Sequence, residues 1–125
     1  EVLKLLGIEK HAQELAGKLP QGKQRLLEMA RALATGPKLL LLDEPAAGLN
    51  FQEEDVLKEV LTLIIKSGIS ILLVEHDMRV VMDISDWVNV LDLGKLIATG
   101  TPNEIGKNPK VIKAYLGREV SRASA

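Results

Sequence analysis

The sequence predicts an α/β fold: a mainly parallel sheet flanked by helices and followed by a terminal antiparallel hairpin. Three observations predict it. Two continuous apolar runs, residues 39–42 and 71–74, have strand length, and a run without polar alternation suits a strand buried on both faces of a parallel sheet. Between them Val56, Leu57, Val60, Leu61 and Ile64 recur at helical spacing, so strand, helix and strand read as one βαβ unit. Farther on, strand-like residues 87–91 and 95–99 are joined through Asp92-Leu93-Gly94, a hairpin with glycine where a positive φ is needed.

The elements follow in order. Residues 1–18 read as helical segments broken at Gly7, and His11 among Glu9, Lys10 and Gln13 reads as an exposed residue without a role. Residues 19–24 (Leu-Pro-Gln-Gly-Lys-Gln) form a loop that opens a helix, whose buried stripe is Leu26, Met29, Ala30 and Leu33. Gly36 and Pro37 stop that helix. The first strand runs into Asp43, Glu44 and Pro45, then a small-residue loop over 46–50. Asn50 caps the next helix, with Glu53 closing a capping box and Glu54 and Asp55 also in the acidic first turn. Lys66 and Gly68 end it. The second strand, 70–74, runs into Glu75, His76 and Asp77, and Met78, Val81 and Met82 mark a short helix with methionine as core filler. After the hairpin, Thr101-Pro102-Asn103-Glu104 opens a capped helix, and Asn108-Pro109 opens another that carries Val111, Ile112 and Tyr115 and closes at Gly117. Residues 118–125 read as a loose tail.

Composition narrows the function classes. With 125 residues, 46% hydrophobic and 26% charged, the chain is long enough for one compact domain, and its three aromatics leave the core aliphatic. A net charge of -1 without a long basic run argues against nucleic acid as the main partner. With no cysteine, disulfides and thiolate metal sites are excluded. No apolar run reaches the ~20 residues of a membrane helix. Glu1 stands where an initiator Met is expected, and the opening residues read as the end of a helix; the expectation is a truncated protein, the alternative a processed start.

A parallel sheet places its ligand crevice at the carboxyl ends of its strands. Asp43 and Glu44 sit at one such end and His76 at the other, so a right-handed crossover brings all three to one crevice. The competing reading of Asp-Glu after leucines is a solvated turn or helix start. A glycine just ahead of a helix, here Gly22, offers outward amides to an anion, a signal that many helices share.

The order of these motifs resembles the carboxyl-terminal half of an ABC transporter ATPase subunit, over nearly the whole chain. Residues 19–24 are similar to the family's signature loop (Leu-Ser-Gly-Gly-Gln), Ala30-Arg31-Ala32-Leu33 to the end of the helix after it, residues 39–44 to Walker B with the catalytic glutamate, residues 47–50 to the D-loop, and His76 to the switch histidine. Within the family, Glu-Pro-Ala-Ala-Gly-Leu-Asn and Val-Glu-His-Asp-Met look most like the ATP-binding subunits of branched-chain amino-acid importers. The resemblance divides the chain into the end of a helical subdomain (1–35), the carboxyl-terminal part of a RecA-like core (36–117) and a tail (118–125). Two positions depart from the usual signature, Pro20 at the serine and Lys23 at the glutamine; Asn50 replaces the usual D-loop aspartate, as this branch often does.

The resemblance implies ATP and Mg²⁺ as cofactors, Asp43 as the magnesium ligand, Glu44 and His76 as catalytic groups, and Leu19, Pro20, Gln21, Gly22, Lys23 and Asn50 as nucleotide contacts. It implies a second ATPase subunit, homo- or heterodimeric, and transmembrane permease subunits as partners, no nucleic acid, and a place on the cytoplasmic face of the cell membrane. No Gly-x-x-x-x-Gly-Lys-Ser/Thr occurs in the 125 residues, so the phosphate cradle is expected upstream of Glu1 and the piece alone is expected to be inactive. Two other readings stand beside the importer: an ABC ATPase without a transporter, which usually shows basic linkers or coiled-coil insertions, and a non-enzymatic remnant.

Overall fold

The computed structural model describes residues 1–115; the closing Gly117 and the tail over 118–125 lie outside them. The chain divides into two compact units, Glu1–Val80 and Val81–Ala125, and the boundary expected after residue 35 falls inside the first.

The first unit opens with α1 (Val2–Leu5), stopped at Gly7 with φ 65°, and two 3₁₀ turns, Glu9–His11 and Ala16–Lys18. His11 is not simply exposed as its polar neighbours suggest. The tight turn carries its Nδ1 to 2.8 Å from Glu14 Oε1, and its Nε2 is buried without a partner among the described residues. Helix α2 (Gln21–Leu33) starts earlier than expected. The loop ends at Pro20, whose φ of -56° already suits helix entry, so Gln21, Gly22, Lys23 and Gln24 form the first turn. Its buried residues are Leu26, Met29, Ala30 and Leu33, as the spacing predicts.

Strands β1 (Leu39–Asp43) and β2 (Ser70–Val74) pair in parallel from Leu39↔Ser70 to Asp43↔Val74, joined through α3 (Phe51–Lys66). Both halves of the expected capping box are present: Asn50 Oδ1 accepts from the Glu53 amide at 3.0 Å, and Glu53 Oε2 from the Asn50 amide at 3.1 Å. Leu57, Val60, Leu61 and Ile64 are buried, but Val56, on the rim of that stripe, is 43% exposed. The expectation of strands buried on both faces also fails. Leu40 is buried and Leu42 half-buried, whereas Leu41 is 65% and Leu72 57% exposed. Strand side chains alternate between faces, and among the described residues only one face of this pair is covered.

Helix α4 (Met78–Ile84) crosses the 80/81 boundary, with Val80 buried. The second unit holds β3 (Val88–Asp92) and β4 (Lys95–Gly100), an antiparallel hairpin. Asp92 pairs with Lys95, so the turn is only Leu93-Gly94, and both residues have positive φ, 47° and 77°. Trp87 Nε1 donates to Thr99 Oγ1 at 2.9 Å across the hairpin. Helix α5 (Pro102–Gly106) has its full capping box through Thr101 and Glu104, and a last helix covers 109–115, burying Val111. No helix among the described residues is long and apolar enough to cross a membrane.

Candidate active site

The site grows from the ends of β1 and β2. Their register aligns Asp43 with Val74, so the residues that follow leave the sheet side by side. The ladder extends one step further, through a 2.8 Å bond from the Glu44 amide to the Val74 carbonyl. Glu44 has φ 46°, in the left-handed region that non-glycine residues rarely occupy. Its carbonyl accepts from the Ala47 amide at 3.1 Å, turning the chain sharply away.

This brings together two of the three predicted groups. His76 Nδ1 lies 3.2 Å from Glu44 Oε1, across 32 residues of sequence, and both side chains are about half exposed (48% and 50%). A carboxylate accepts only, so the hydrogen between them sits on Nδ1 when Glu44 is ionised. Asp43, one residue back, ends β1 on its exposed face and makes no hydrogen bond or ion pair with either group. Among the described residues no three His, Cys, Asp or Glu side chains cluster as a metal site.

The predicted nucleotide contacts lie on a second rim. At the start of α2, Pro20 contributes its carbonyl to the Lys23 and Gln24 amides, at 2.9 and 3.0 Å, and caps with no side chain. The Gln21 and Gly22 amides belong to the first turn, where a helix has no carbonyl of its own to offer them. Leu19 is buried, which leaves only its backbone to a ligand, and its carbonyl accepts from Gln24 Nε2 at 2.8 Å. The rim packs closely. A Cβ on Gly22 would fall 2.7 Å from Glu53 Oε1, and one on Gly48, at φ 77°, 2.7 Å from Gln21 Nε2. The α2 start, the 46–50 loop and the first turn of α3 therefore form one edge, with Asn50 on it.

Arg79 ties that edge to the segment carrying His76. Its Nη2 lies 2.8 Å from Asp77 Oδ2 and 3.5 Å from Glu54 Oε2, and its guanidinium sits 4.8 Å from the Phe51 ring centroid. Asp77 Oδ1 also accepts from the Arg79 amide at 2.9 Å. The Arg79 side chain, first, holds the Asp77 carboxyl below its usual range against the opposing effect of burial, helped by the Arg79 amide and charge and by the Val80 amide.

Sequence reasoning gave no role to Glu75 or Arg79. For Glu75 a signal was present. Counting by twos along β2, it shares a face with the half-buried Ile71 and Leu73, and a carboxylate in that phase demands partners. No comparable signal marks Arg79, which besides the nearby Asp77 meets residues distant in sequence, Phe51 and Glu54.

Comparison with known proteins bears on the family and the fold. Residues 1–47 match the family model described as ABC transporter, and residues 95–121 match that of the branched-chain amino acid ATP-binding cassette transporter. The high-affinity branched-chain amino acid transport ATP-binding protein BraF of Pseudomonas aeruginosa is 48% identical over 92% of this chain and 46% of its own length. The corresponding protein LivG of Salmonella typhimurium is 49% identical over the same shares. The chain thus spans about half the length of these relatives. A crystal structure of an ATP-binding cassette of an ABC transporter, in its ADP conformation, superposes with a TM-score of 0.85 at 30% identity, covering 93% of this chain and 47% of that one. On its motifs, its fold and these matches, the chain belongs to the ABC transporter ATP-binding family.

Proposed function

We propose that this chain supplies the hydrolytic edge of the ATP-hydrolysing subunit of an ABC importer that serves branched-chain amino acids. The observation that carries the reading is the 3.2 Å contact between Glu44 and His76 at the ends of neighbouring parallel strands. Family likeness to branched-chain amino acid transport proteins supports the solute class.

The roles follow from residue chemistry. Glu44 keeps its second carboxylate oxygen for the attacking water, which it orients and relieves of a proton; a general base contributes ~10²–10⁴-fold. His76 has a harder task than its type suggests. With Nδ1–H committed to Glu44, a neutral ring has only a lone pair at Nε2, so donation to a phosphate oxygen requires the imidazolium, which donates from both nitrogens. Asp43, a single exposed carboxylate at a strand's carboxyl end, fits magnesium, which takes one or two protein carboxylates and completes its shell with water and phosphate. When bound, Mg²⁺ neutralises phosphate charge.

The α2 edge serves a different nucleotide, one held by a second ATPase subunit, homo- or heterodimeric. The Gln21 and Gly22 amides and the Lys23 ammonium face it, Leu19 and Pro20 shape the entry of the helix, and Asn50 holds the neighbouring loop. Transmembrane permease subunits receive the conformational work at the cytoplasmic face of the membrane. The 125 residues by themselves neither bind ATP tightly nor hydrolyse it, because none of their glycine-lysine pairs lies in a phosphate-cradling loop.

The test is reconstitution of the native polypeptide carrying this chain with its permease in proteoliposomes. Wild type takes up leucine, isoleucine and valine at the expense of ATP, and Glu44→Gln and His76→Ala bind nucleotide but turn it over far more slowly. Undiminished turnover in Glu44→Gln would refute the reading.

A further inference from the structure

The Glu75 carboxylate is engaged on both sides. Its Oε1 accepts from the Ala46 amide at 3.0 Å, 29 residues away, and its Oε2 accepts from the His76 amide at 3.1 Å and, at 3.4 Å, from the Asp77 amide. One side chain just past the end of β2 therefore grips the backbone just after Glu44 and the backbone of His76 itself. We propose that Glu75 is a positioning residue that sets the Glu44–His76 pair. For catalysis the proposal rests on the hydrolytic reading above.

Three considerations support this over a local turn that happens to fall here. The Ala46 contact is long-range, and it begins where the strand ladder stops, one step past the bond from Glu44 to the Val74 carbonyl. Glu44 at φ 46° persists only if its surroundings over-determine it, and the two bonds bracketing it, from its own amide and from Ala46, do so. Lastly, donors meet both oxygens. A carboxylate accepts at each, whereas a glutamine would turn an NH₂ group towards one set of amides, and an aspartate is one methylene too short to span both. Bonds from backbone amides to an ionised carboxylate are also stronger than neutral ones, which suits a clasp between strand ends.

The test uses the native polypeptide carrying this chain, with Glu75→Gln and Glu75→Ala. Hydrogen exchange at the Ala46 amide should be at least about tenfold faster in Glu75→Ala, while the Leu42 and Leu72 amides, which face the partner strand in this register, keep their protection. The His76 ring resonances should shift. In steady-state turnover kcat should fall by roughly 10–100-fold with KM for ATP and the melting temperature little changed, because a small misplacement of the pair is enough. In a His76→Ala background the further loss from Glu75→Ala should shrink to about twofold or less. Unaltered Ala46 exchange would overturn the clasp. Faster exchange with kcat within twofold of wild type, or a fall in stability and KM alongside kcat, would overturn the positioning role. If the wild-type polypeptide shows no turnover at all, the hydrolytic reading is what fails; Ala46 exchange and the His76 resonances then decide the clasp unaided, supporting it if both change and overturning it if they do not.

Discussion

Glu44 and Leu93 share a backbone conformation, φ 46° and 47°, for opposite reasons. Leu93 lies in a two-residue hairpin turn, where the right-handed twist of the flanking strands demands positive φ at both central positions. Its neighbour Gly94 meets that demand freely, while Leu93 carries the strain with its side chain 90% exposed. Glu44 lies in no such turn. It is held by bonds to Val74 and, one residue on, by Glu75, both from the neighbouring strand. The hairpin's strain is a cost of closing a turn and serves no visible contact of the Leu93 side chain. At Glu44 the same cost aims a carboxylate at His76. An unusual φ therefore points to function only when distant residues impose it.

The sharpest way to break the comparison is Glu44→Gln in the native polypeptide. Turnover should fall by ~10²–10⁴-fold, with fold and nucleotide binding retained, whereas Leu93→Gln should leave turnover untouched. A smaller contrast tests the caps, one in each unit. Asn50→Ala and Thr101→Ala should each lower stability by about 1 kcal/mol in chemical denaturation, since each removes one half of a complete capping box. Asn50→Asp should retain it. Placing asparagine at the two strained positions is subtler still. Asn tolerates the left-handed region, so Leu93→Asn should raise stability by up to roughly 1 kcal/mol through an Asn-Gly turn, and Glu44→Asn should gain similarly while losing turnover. Equal stability without loss of turnover in Glu44→Asn would remove the distinction drawn between the two sites.

The smallest effects are acid-dependent. Asp77 is held below its usual 3.8 chiefly by the Arg79 side chain, and Glu104 below its usual 4.5 chiefly by the Thr101 amide and then its hydroxyl. Both carboxyls are depressed in the folded state. Their contributions are therefore present above the ordinary carboxylate range and lost as pH falls through the lowered values. Melting curves of Asp77→Asn and Glu104→Gln should each be slightly flatter on the acid limb than wild type. Added salt should weaken the Asp77 effect, which involves a guanidinium, more than that of Glu104, which involves neutral donors.

Much of the fold was legible because its signals are local. The βαβ order, the apolar stripes of α2 and α3, both capping boxes and the hairpin all depend on residues within a turn or two of one another. Two of the three misreadings that follow are non-local. Gln21 to Gln24 look like loop beside a proline and two polar residues, yet Pro20 supplies the helix entry. The four leucines of β1 look symmetric, but the covered face takes Leu40 and leaves Leu41 exposed. Glu75 reads as one more acid after a strand until Ala46, 29 residues earlier, is seen to need its oxygen.

By itself the sequence determined which segments are strands and helices, and that two acids and a histidine follow parallel strands, because periodicity, caps and turn residues act over a few positions. The tertiary structure alone decided that Glu44 takes a left-handed backbone, that its carboxylate meets His76 at 3.2 Å, and that Glu75 grips both neighbouring segments. Those outcomes depend on strand register and on bonds between distant residues, and such bonds exist only once the chain has closed on itself.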